Sequence, residues 1–205
     1  EDAGPTVVMP LRRTEIPRAD ILPLDRYALE RAARRSALVA VKKRRRVAVG
    51  PYAVVHFESY ETMWQQVHEM LFIERGGEAQ IDGELRAYNG LIPKGAELVA
   101  TVMFEIADPA RRAAELGRLG GVERTVTLRF AGHTVAARPE EDVERTNEAG
   151  KASAVQFLHF GFTPDQIAAF RIPDTEVILG IGHPHYGHMA VMPEAVRAEL
   201  AGDFW

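Results

Sequence analysis

The sequence predicts an α+β protein: a single domain with a mainly antiparallel sheet flanked by helices, and a long helix near the N-terminus. Three observations lead to this prediction. The chain has 205 residues, of which 46% are hydrophobic and 26% charged, as is typical of one globular domain. Short alternating segments in the second half predict strands joined by local turns. Segments with helical spacing lie outside these strands, and no internal repeat or linker divides the chain.

The elements can be assigned in order along the chain. Four prolines in the first 23 residues predict an extended N-terminal arm (residues 1–23), followed by the single α+β domain (residues 24–205). Glycine pairs, Asn-Gly and Asp-Pro mark the ends and beginnings of helices. The predicted helices cover residues 25–45, 61–75, 78–88, 109–120, 164–170 and 193–201. The predicted strands cover residues 47–58 in two pieces, 97–106, 123–130, 134–138, 153–162 and 176–182, and the polar residues 139–151 are expected to be exposed.

Composition excludes several classes of function. The chain has no cysteine, which excludes disulfides, thiolate nucleophiles and an iron–sulfur cluster held by this chain. Any metal ion would have histidine and carboxylate ligands, which favours Fe, Mn or Zn. No apolar run reaches the ~18 residues of a membrane span. Residues 1–18 do not resemble a signal peptide, so we expect a cytoplasmic location.

Three of the seven histidines lie close together after a predicted strand. His183, His185 and His188 fall in the segment GHPHYGH, which Pro184 would keep out of the sheet as a loop. Neutral imidazoles are good ligands for Zn or Fe, so the segment is a candidate metal or catalytic site. The alternative is an exposed loop that happens to be rich in histidine.

The helix predicted over residues 61–75 places one carboxylate on its apolar face. Glu74 falls in the middle of that face, whereas Glu69 falls on the opposite side. A carboxylate on a buried face requires a cation or a metal, although a position near the helix end can also turn outward and pair with an arginine. Because the strand before His183 is apolar enough to be buried, the sequence predicts that Glu74 and His183 share one internal site.

The period of the strands predicts a second group of polar residues. Alternation places His56, Glu58, Glu105 and His159 on one side of a single antiparallel sheet. These side chains could form a site, or they could belong to the solvated face of a half-buried sheet.

A basic run lies at the C-terminal end of the first predicted helix. Residues 42–46 read KKRRR, which could bind phosphates or nucleic acid. Basic residues at a helix C-terminus also complement the helix dipole, which is the simpler interpretation. The net charge of −4 and the absence of aromatic residues within the run speak against nucleic-acid binding.

Several segments together resemble the bacterial domain-of-unknown-function family DUF3501. They are KKRRRVAVGP at 42–51, FE at 57–58, QVHEML at 66–71, ER at 74–75, ELRAYNGLIP at 84–93, ATVMFE at 100–105, SAVQFL at 153–158 and GIGHP at 180–184. The resemblance covers about residues 16–191. Genes of this family often lie beside those of rubrerythrin-like proteins and iron–sulfur oxidoreductases, which implies a role in peroxide defence or electron transfer. Gln156 stands where the family pattern has a histidine, His159 stands where it has an arginine, and His185 and His188 are particular to this chain. These departures shift the expected site from three histidines to His183 with carboxylates.

The sequence therefore leads to three hypotheses. The first is a metal-binding or redox-accessory protein, in which Fe, Mn or Zn binds to His183 with Glu74, Glu69, Glu58 or Glu105. The second is a non-catalytic protein that docks onto a rubrerythrin-like or iron–sulfur partner, or onto a second copy, through the arm, the basic helix and the terminal Phe204-Trp205. The third is nucleic-acid binding through residues 42–46.

Overall fold

The computed structural model of the chain describes residues 13–140 and 152–205. These residues form six α-helices and two antiparallel sheets, so the predicted α+β class is confirmed. The helices are α1 (Leu24–Lys43), α2 (Tyr60–Glu74), α3 (Glu78–Tyr88), α4 (Pro109–Leu116), α5 (Pro164–Arg171) and α6 (Glu194–Ala201). The strands are β1 (Arg46–Val49), β2 (Ala53–Phe57), β3 (Glu97–Phe104), β4 (Val126–Phe130), β5 (His133–Ala136), β6 (Arg138–Pro139), β7 (Val155–Gly161), β8 (Ile178–His183) and β9 (Tyr186–Val191).

The first sheet has the strand order β1-β2-β3-β7-β6 and contributes core residues from both of its faces. The alternation of side chains sends one set, including Val55, Ala100 and Leu158, to the main hydrophobic core. The second sheet, with the order β5-β4-β8-β9, contributes Leu128 and Leu179 to the same core. The two sheets and helices α5 and α6 therefore share one core, as expected for a single domain.

The other face of the first sheet lies under α2 and α3. Val99 from β3 and Phe157 from β7 pack here against Val67 of α2 and Leu85 of α3, in a second, smaller core. Of the predicted arm, residues 13–23 are described, and they contain one short 3-10 turn. Ile16 is buried in the second core, and its backbone N–H donates to the side chain of Asn89.

Helix α1 lies at the surface, and Tyr27 is its one buried residue. None of the helices within residues 13–140 and 152–205 is long and apolar enough to cross a membrane. The expectation that residues 139–151 are exposed falls almost entirely on residues 141–151, which lie outside the described part of the chain.

The histidine-rich segment after β8 is not a loop. Strands β8 and β9 are antiparallel: Ile178 pairs with Val191 at one end, and His183 pairs with Tyr186 at the other. The two strands therefore form a hairpin whose turn is Pro184-His185. The predicted loop was wrong because Pro184 occupies the turn, where it donates no ladder hydrogen bond and need not end the sheet.

The terminal Phe204-Trp205 does not form a free anchor. Phe204 is 1% exposed and packs against Phe162 and Phe170 in the main core. Trp205 remains 43% exposed, and its backbone N–H donates to the carbonyl of Gly95. The expectation that Phe204 helps to dock a partner is therefore wrong, because this side chain already stabilises the fold.

Candidate functional site

The first sheet gathers the predicted polar residues on one face. In the strand register, His56 lies opposite Thr101 and Arg46, and Thr101 lies opposite Phe157. His56, Glu58, Glu105 and His159 all lie on this face by the alternation along their strands, as predicted. The face is neither fully solvated nor fully packed, because α2 and the segment after α3 cover only part of it.

A cavity of about 320 Å³ lies between this face and the covering helices. We call it the sheet-face cavity. Its apolar wall consists of Met63, Leu91, Met103, Val155 and Phe157. Its polar wall includes Lys42, Arg46, His56, Glu58, Gln66 and Tyr88. An apolar pocket with a few convergent polar groups is the usual form of a small-molecule site.

The carboxylate of Glu58 is fixed by two threonine hydroxyls. The Thr101 hydroxyl donates to Oε1 at 2.8 Å, and the Thr62 hydroxyl donates to Oε2 at 2.5 Å. Thr62 is already held in place because it forms the capping box of α2 with Ser59. Glu58 thus lies where β2 ends and α2 begins, and the local cap determines its orientation.

The imidazole of His56 lines the cavity, and one of its ring nitrogens has no partner within the described residues. Its Nε2 atom is buried and has no hydrogen-bond partner among residues 13–140 and 152–205. Burial lowers the pKa of His56. The carboxylates of Glu58 and Glu105 act to raise this pKa, and the cations Lys42 and Arg46 act to lower it. His56 is therefore neutral at pH 7, and it can donate one hydrogen bond and accept another.

Four further polar side chains of the cavity are unpaired. Within the described part of the chain, no hydrogen bond or ion pair engages the side chain of Lys42, Arg46, Gln66 or Tyr88. Arg45 differs from its neighbours because its guanidinium is 4% exposed and bonds to Asp203 and to the carbonyls of Phe57 and Glu58. The basic run is thus divided between a structural arginine and cations that face the cavity.

The remaining two residues of the sheet face lie away from this cavity. Glu105 is exposed and lines a neighbouring cavity together with His56 and Arg46. His159 lies between two carboxylates: its Nδ1 is 3.1 Å from Glu97, and its Nε2 contacts Glu140. The hydrogen bond with Glu97 raises the pKa of His159, and Glu140 adds to this effect. Both ring nitrogens are engaged, so this histidine is a structural group.

The three histidines of the β8–β9 hairpin do not converge. In His183, Nε2 lies 3.0 Å from the carbonyl of Gly120, and Nδ1 accepts from the backbone N–H of His185. These two contacts use both ring nitrogens and leave none for a metal. His185 and His188 are exposed, and the His188 ring packs against Tyr186. Within the described residues, no group of three or more histidines and carboxylates is arranged to hold a metal ion.

Glu74 points outward, contrary to the expectation that it is buried. It is the last residue of α2, it is exposed, and it accepts a hydrogen bond from Gln80. The helix ends there because Arg75 has a left-handed backbone conformation with φ 55°. At this helix end the side chain of Glu74 lies in solvent and does not pack with the apolar face of α2. His183 belongs to the second sheet and has Gly120 and His185 as its partners, so the contacts of the two residues do not overlap.

Glu69 forms the main polar contact between α2 and α1. Arg31 donates to both carboxylate oxygens, at 2.9 and 2.8 Å, and Tyr27 donates at 2.7 Å. The bonds with Arg31 lower the pKa of Glu69 to about 2. Its lone pairs are thus used within the fold, which identifies Glu69 as a structural residue.

We expect Glu69→Gln to lower the free energy of unfolding by about 1–3 kcal/mol at pH 7, because a charged acceptor of several partly buried hydrogen bonds is lost. Since the folded pKa is depressed, this contribution is present above the unfolded value of about 4.3 and is lost as the pH falls toward 2. Urea denaturation of both proteins at pH 7, 4 and 2.5 measures the difference. Glu74→Gln on the same helix is the control and should have no effect; a difference that stays constant with pH would contradict the assignment.

Sequence reasoning found His56 and Glu58 and singled out the basic run that contains Lys42 and Arg46, but it did not bring these residues together in one site. Arg46, Thr101 and Phe157 follow from the same alternation once the strand register is known. Gln66 and Met63 lie one turn apart on α2, which is a helical spacing that the sequence does show. The sequence does not show that α2 packs on this face of the sheet.

The comparisons with known proteins agree with this fold. The model of the family described as "Protein of unknown function (DUF3501)" matches residues 15–204. The chain belongs to the DUF3501 family. A crystal structure of a novel protein of unknown function from Burkholderia pseudomallei is similar to it, with 38% sequence identity and a TM-score of 0.86. The similarity covers 93% of this chain and 99% of the Burkholderia chain. No curated protein matches this DUF3501 member.

Proposed function

We propose that this protein binds a small organic molecule in the sheet-face cavity. The observation that supports the proposal is the group of five unpaired polar side chains around one apolar wall, namely Lys42, Arg46, His56, Gln66 and Tyr88. Lys42 and Arg46 are exposed, Gln66 and Tyr88 are half-buried, and among these five only His56 has a buried polar atom without a partner in the described part of the chain. Such an atom is rare in a folded protein, and an apolar pocket with a few polar groups is the usual form of a small-molecule site. The volume of about 320 Å³ lies within the range of small-molecule sites.

The test is a variant that fills the cavity. Val155 lines the cavity from β7, and Val155→Phe would occupy its apolar part. Val54, on the same face of β2, lines the neighbouring cavity and provides the matched control Val54→Phe. A ligand screen by thermal shift on the full chain should give hits with the unmodified protein and with Val54→Phe, but none with Val155→Phe.

The opposite pattern contradicts the proposal. If hits shift the melting temperature of Val155→Phe as much as that of the unmodified protein, they bind elsewhere. If a broad screen gives no hit, and native mass spectrometry of the purified protein shows no bound molecule, the cavity is not a ligand site.

A metal ion is the second candidate for the same place, and the buried, unpartnered Nε2 of His56 beside Glu58 favours it. Elemental analysis of protein purified without chelator should then give near-stoichiometric Fe, Mn or Zn, which His56→Ala would remove. Sub-stoichiometric metal in the unmodified protein contradicts this candidate. The redox-accessory role and the rubrerythrin-like or iron–sulfur partner, which the family resemblance implies, stay predictions.

A further inference from the structure

Two of the polar side chains that line the sheet-face cavity can only donate hydrogen bonds. Lys42 and Arg46 carry positive charges, and neither side chain can accept a hydrogen bond. Neither forms an ion pair within residues 13–140 and 152–205. Arg46 lies directly opposite His56 in the register of β1 and β2. A ligand that satisfies this end of the cavity must therefore bring acceptor atoms, and a negative charge would strengthen each bond.

The carboxylate in the cavity does not offset these cations by forming ion pairs with them. Each oxygen of Glu58 accepts a threonine hydroxyl, from Thr62 and Thr101. Glu105 lines the neighbouring cavity together with Arg46 and His56, but it forms no ion pair with Arg46. The end of the cavity near Lys42 and Arg46 is thus the end with unpaired positive charge.

On the same sheet face, the part of the cavity lined from β3 and β7 is apolar and can contact more than an inorganic ion. Met103 and Val155 lie opposite each other on adjacent strands, and Phe157 follows two residues along β7. Because apolar surface is buried only by an apolar partner, this wall favours a ligand with a hydrocarbon body.

We infer that the ligand is an organic anion: a carboxylate held by Lys42 and Arg46, joined to an apolar body that lies against Met103, Val155 and Phe157. This inference rests on the proposed function, since it assigns the ligand class of the same cavity. His56 lines the same cavity from β2, directly opposite Arg46 in the strand register.

The experiment compares acids with their uncharged analogues. Butyrate, octanoate and 3-phenylpropionate are titrated into the full chain by calorimetry, in parallel with the corresponding primary amides and with inorganic phosphate. At least one acid should bind about tenfold or more tightly than its amide, because a charge-assisted hydrogen bond is lost in the amide. Inorganic phosphate should bind more weakly than that acid, since it lacks the apolar body.

Substitutions at two exposed residues test which side chains bind the carboxylate of the ligand. Arg46→Gln and Lys42→Gln should each reduce the preference for the acid over the amide, and the double variant should abolish it. Arg44→Gln is the matched control, because Arg44 belongs to the same basic run but does not line the cavity. Circular dichroism of all variants checks that the fold is retained.

The outcomes separate the inference from the proposed function. Equal binding of acids and amides that Val155→Phe abolishes would overturn the inference and leave the cavity as a ligand site. An acid preference unchanged in the double variant would also overturn it. If no acid binds at millimolar concentration, the inference fails, and the ligand screen with Val155→Phe then decides the proposed function independently.

Discussion

Arg45→Met should lower the free energy of unfolding by about 3 kcal/mol, one of the two largest effects that we expect from a single substitution in this protein. The guanidinium of Arg45 is 4% exposed and donates to both oxygens of Asp203, at 3.1 and 2.5 Å. It also donates to the carbonyls of Phe57 and Glu58, both at 3.0 Å. Methionine fills the space but leaves a buried carboxylate and two carbonyl groups without their donor.

Asp203 makes this loss more severe. Burial raises the pKa of the Asp203 carboxyl, and Arg45 is the group that acts against this shift. Chemical denaturation at pH 7 measures the effect, with Arg44→Met as the control, since the neighbouring Arg44 is exposed and has one long contact of 3.7 Å with Glu199. Equal destabilisation by the two substitutions would contradict the structural role that we assign to Arg45.

Much of the fold follows from periodicity in the sequence. The helix predicted over residues 78–88 coincides with α3, and α2 differs from its prediction by one residue at each end. Both helices have strong local end signals: a glycine pair separates them, and Asn89-Gly90 follows α3. Strand β9 was missed because exposed residues such as Met189 and Val191 follow a proline turn, and no simple apolar alternation marks them as a strand.

The candidate site was predictable where one sheet determines it. The period of two along β2 placed His56 and Glu58 on the same face from local information. Glu74 and His183 belong to different layers, and their relation depends on helix packing and on the left-handed residue Arg75 at the end of α2. No pattern of single residues encodes that geometry. The roles of Glu69 and Arg45 were missed for the same reason, since their partners Arg31 and Asp203 are far away in the sequence.

Tyr186→Phe should lower the free energy of unfolding by about 2–3 kcal/mol, because one hydroxyl satisfies three backbone groups. The Tyr186 hydroxyl donates to the carbonyl of Val49 at 2.6 Å. It accepts from the backbone N–H groups of Ala53 at 2.9 Å and Tyr52 at 3.2 Å. The bonds join the β8–β9 hairpin of the second sheet to the turn between β1 and β2 of the first. Phenylalanine keeps the ring but removes this connection.

The same chemical change at a second tyrosine tests whether the hydroxyl network causes the effect. Tyr88 has no side-chain hydrogen bond within residues 13–140 and 152–205, so Tyr88→Phe should change the free energy of unfolding by less than about 0.5 kcal/mol. Gly50, at the β1–β2 turn, also lies close to this hairpin: its φ of 71° is left-handed, and a β-carbon there would lie 2.6 Å from the His188 ring.

Amide hydrogen exchange tests the hydroxyl network directly. The N–H of Ala53 loses its acceptor in Tyr186→Phe and should exchange faster, while Tyr88→Phe should leave that amide protected. Unchanged protection of Ala53 in Tyr186→Phe would mean that the two hairpins are held together by packing alone.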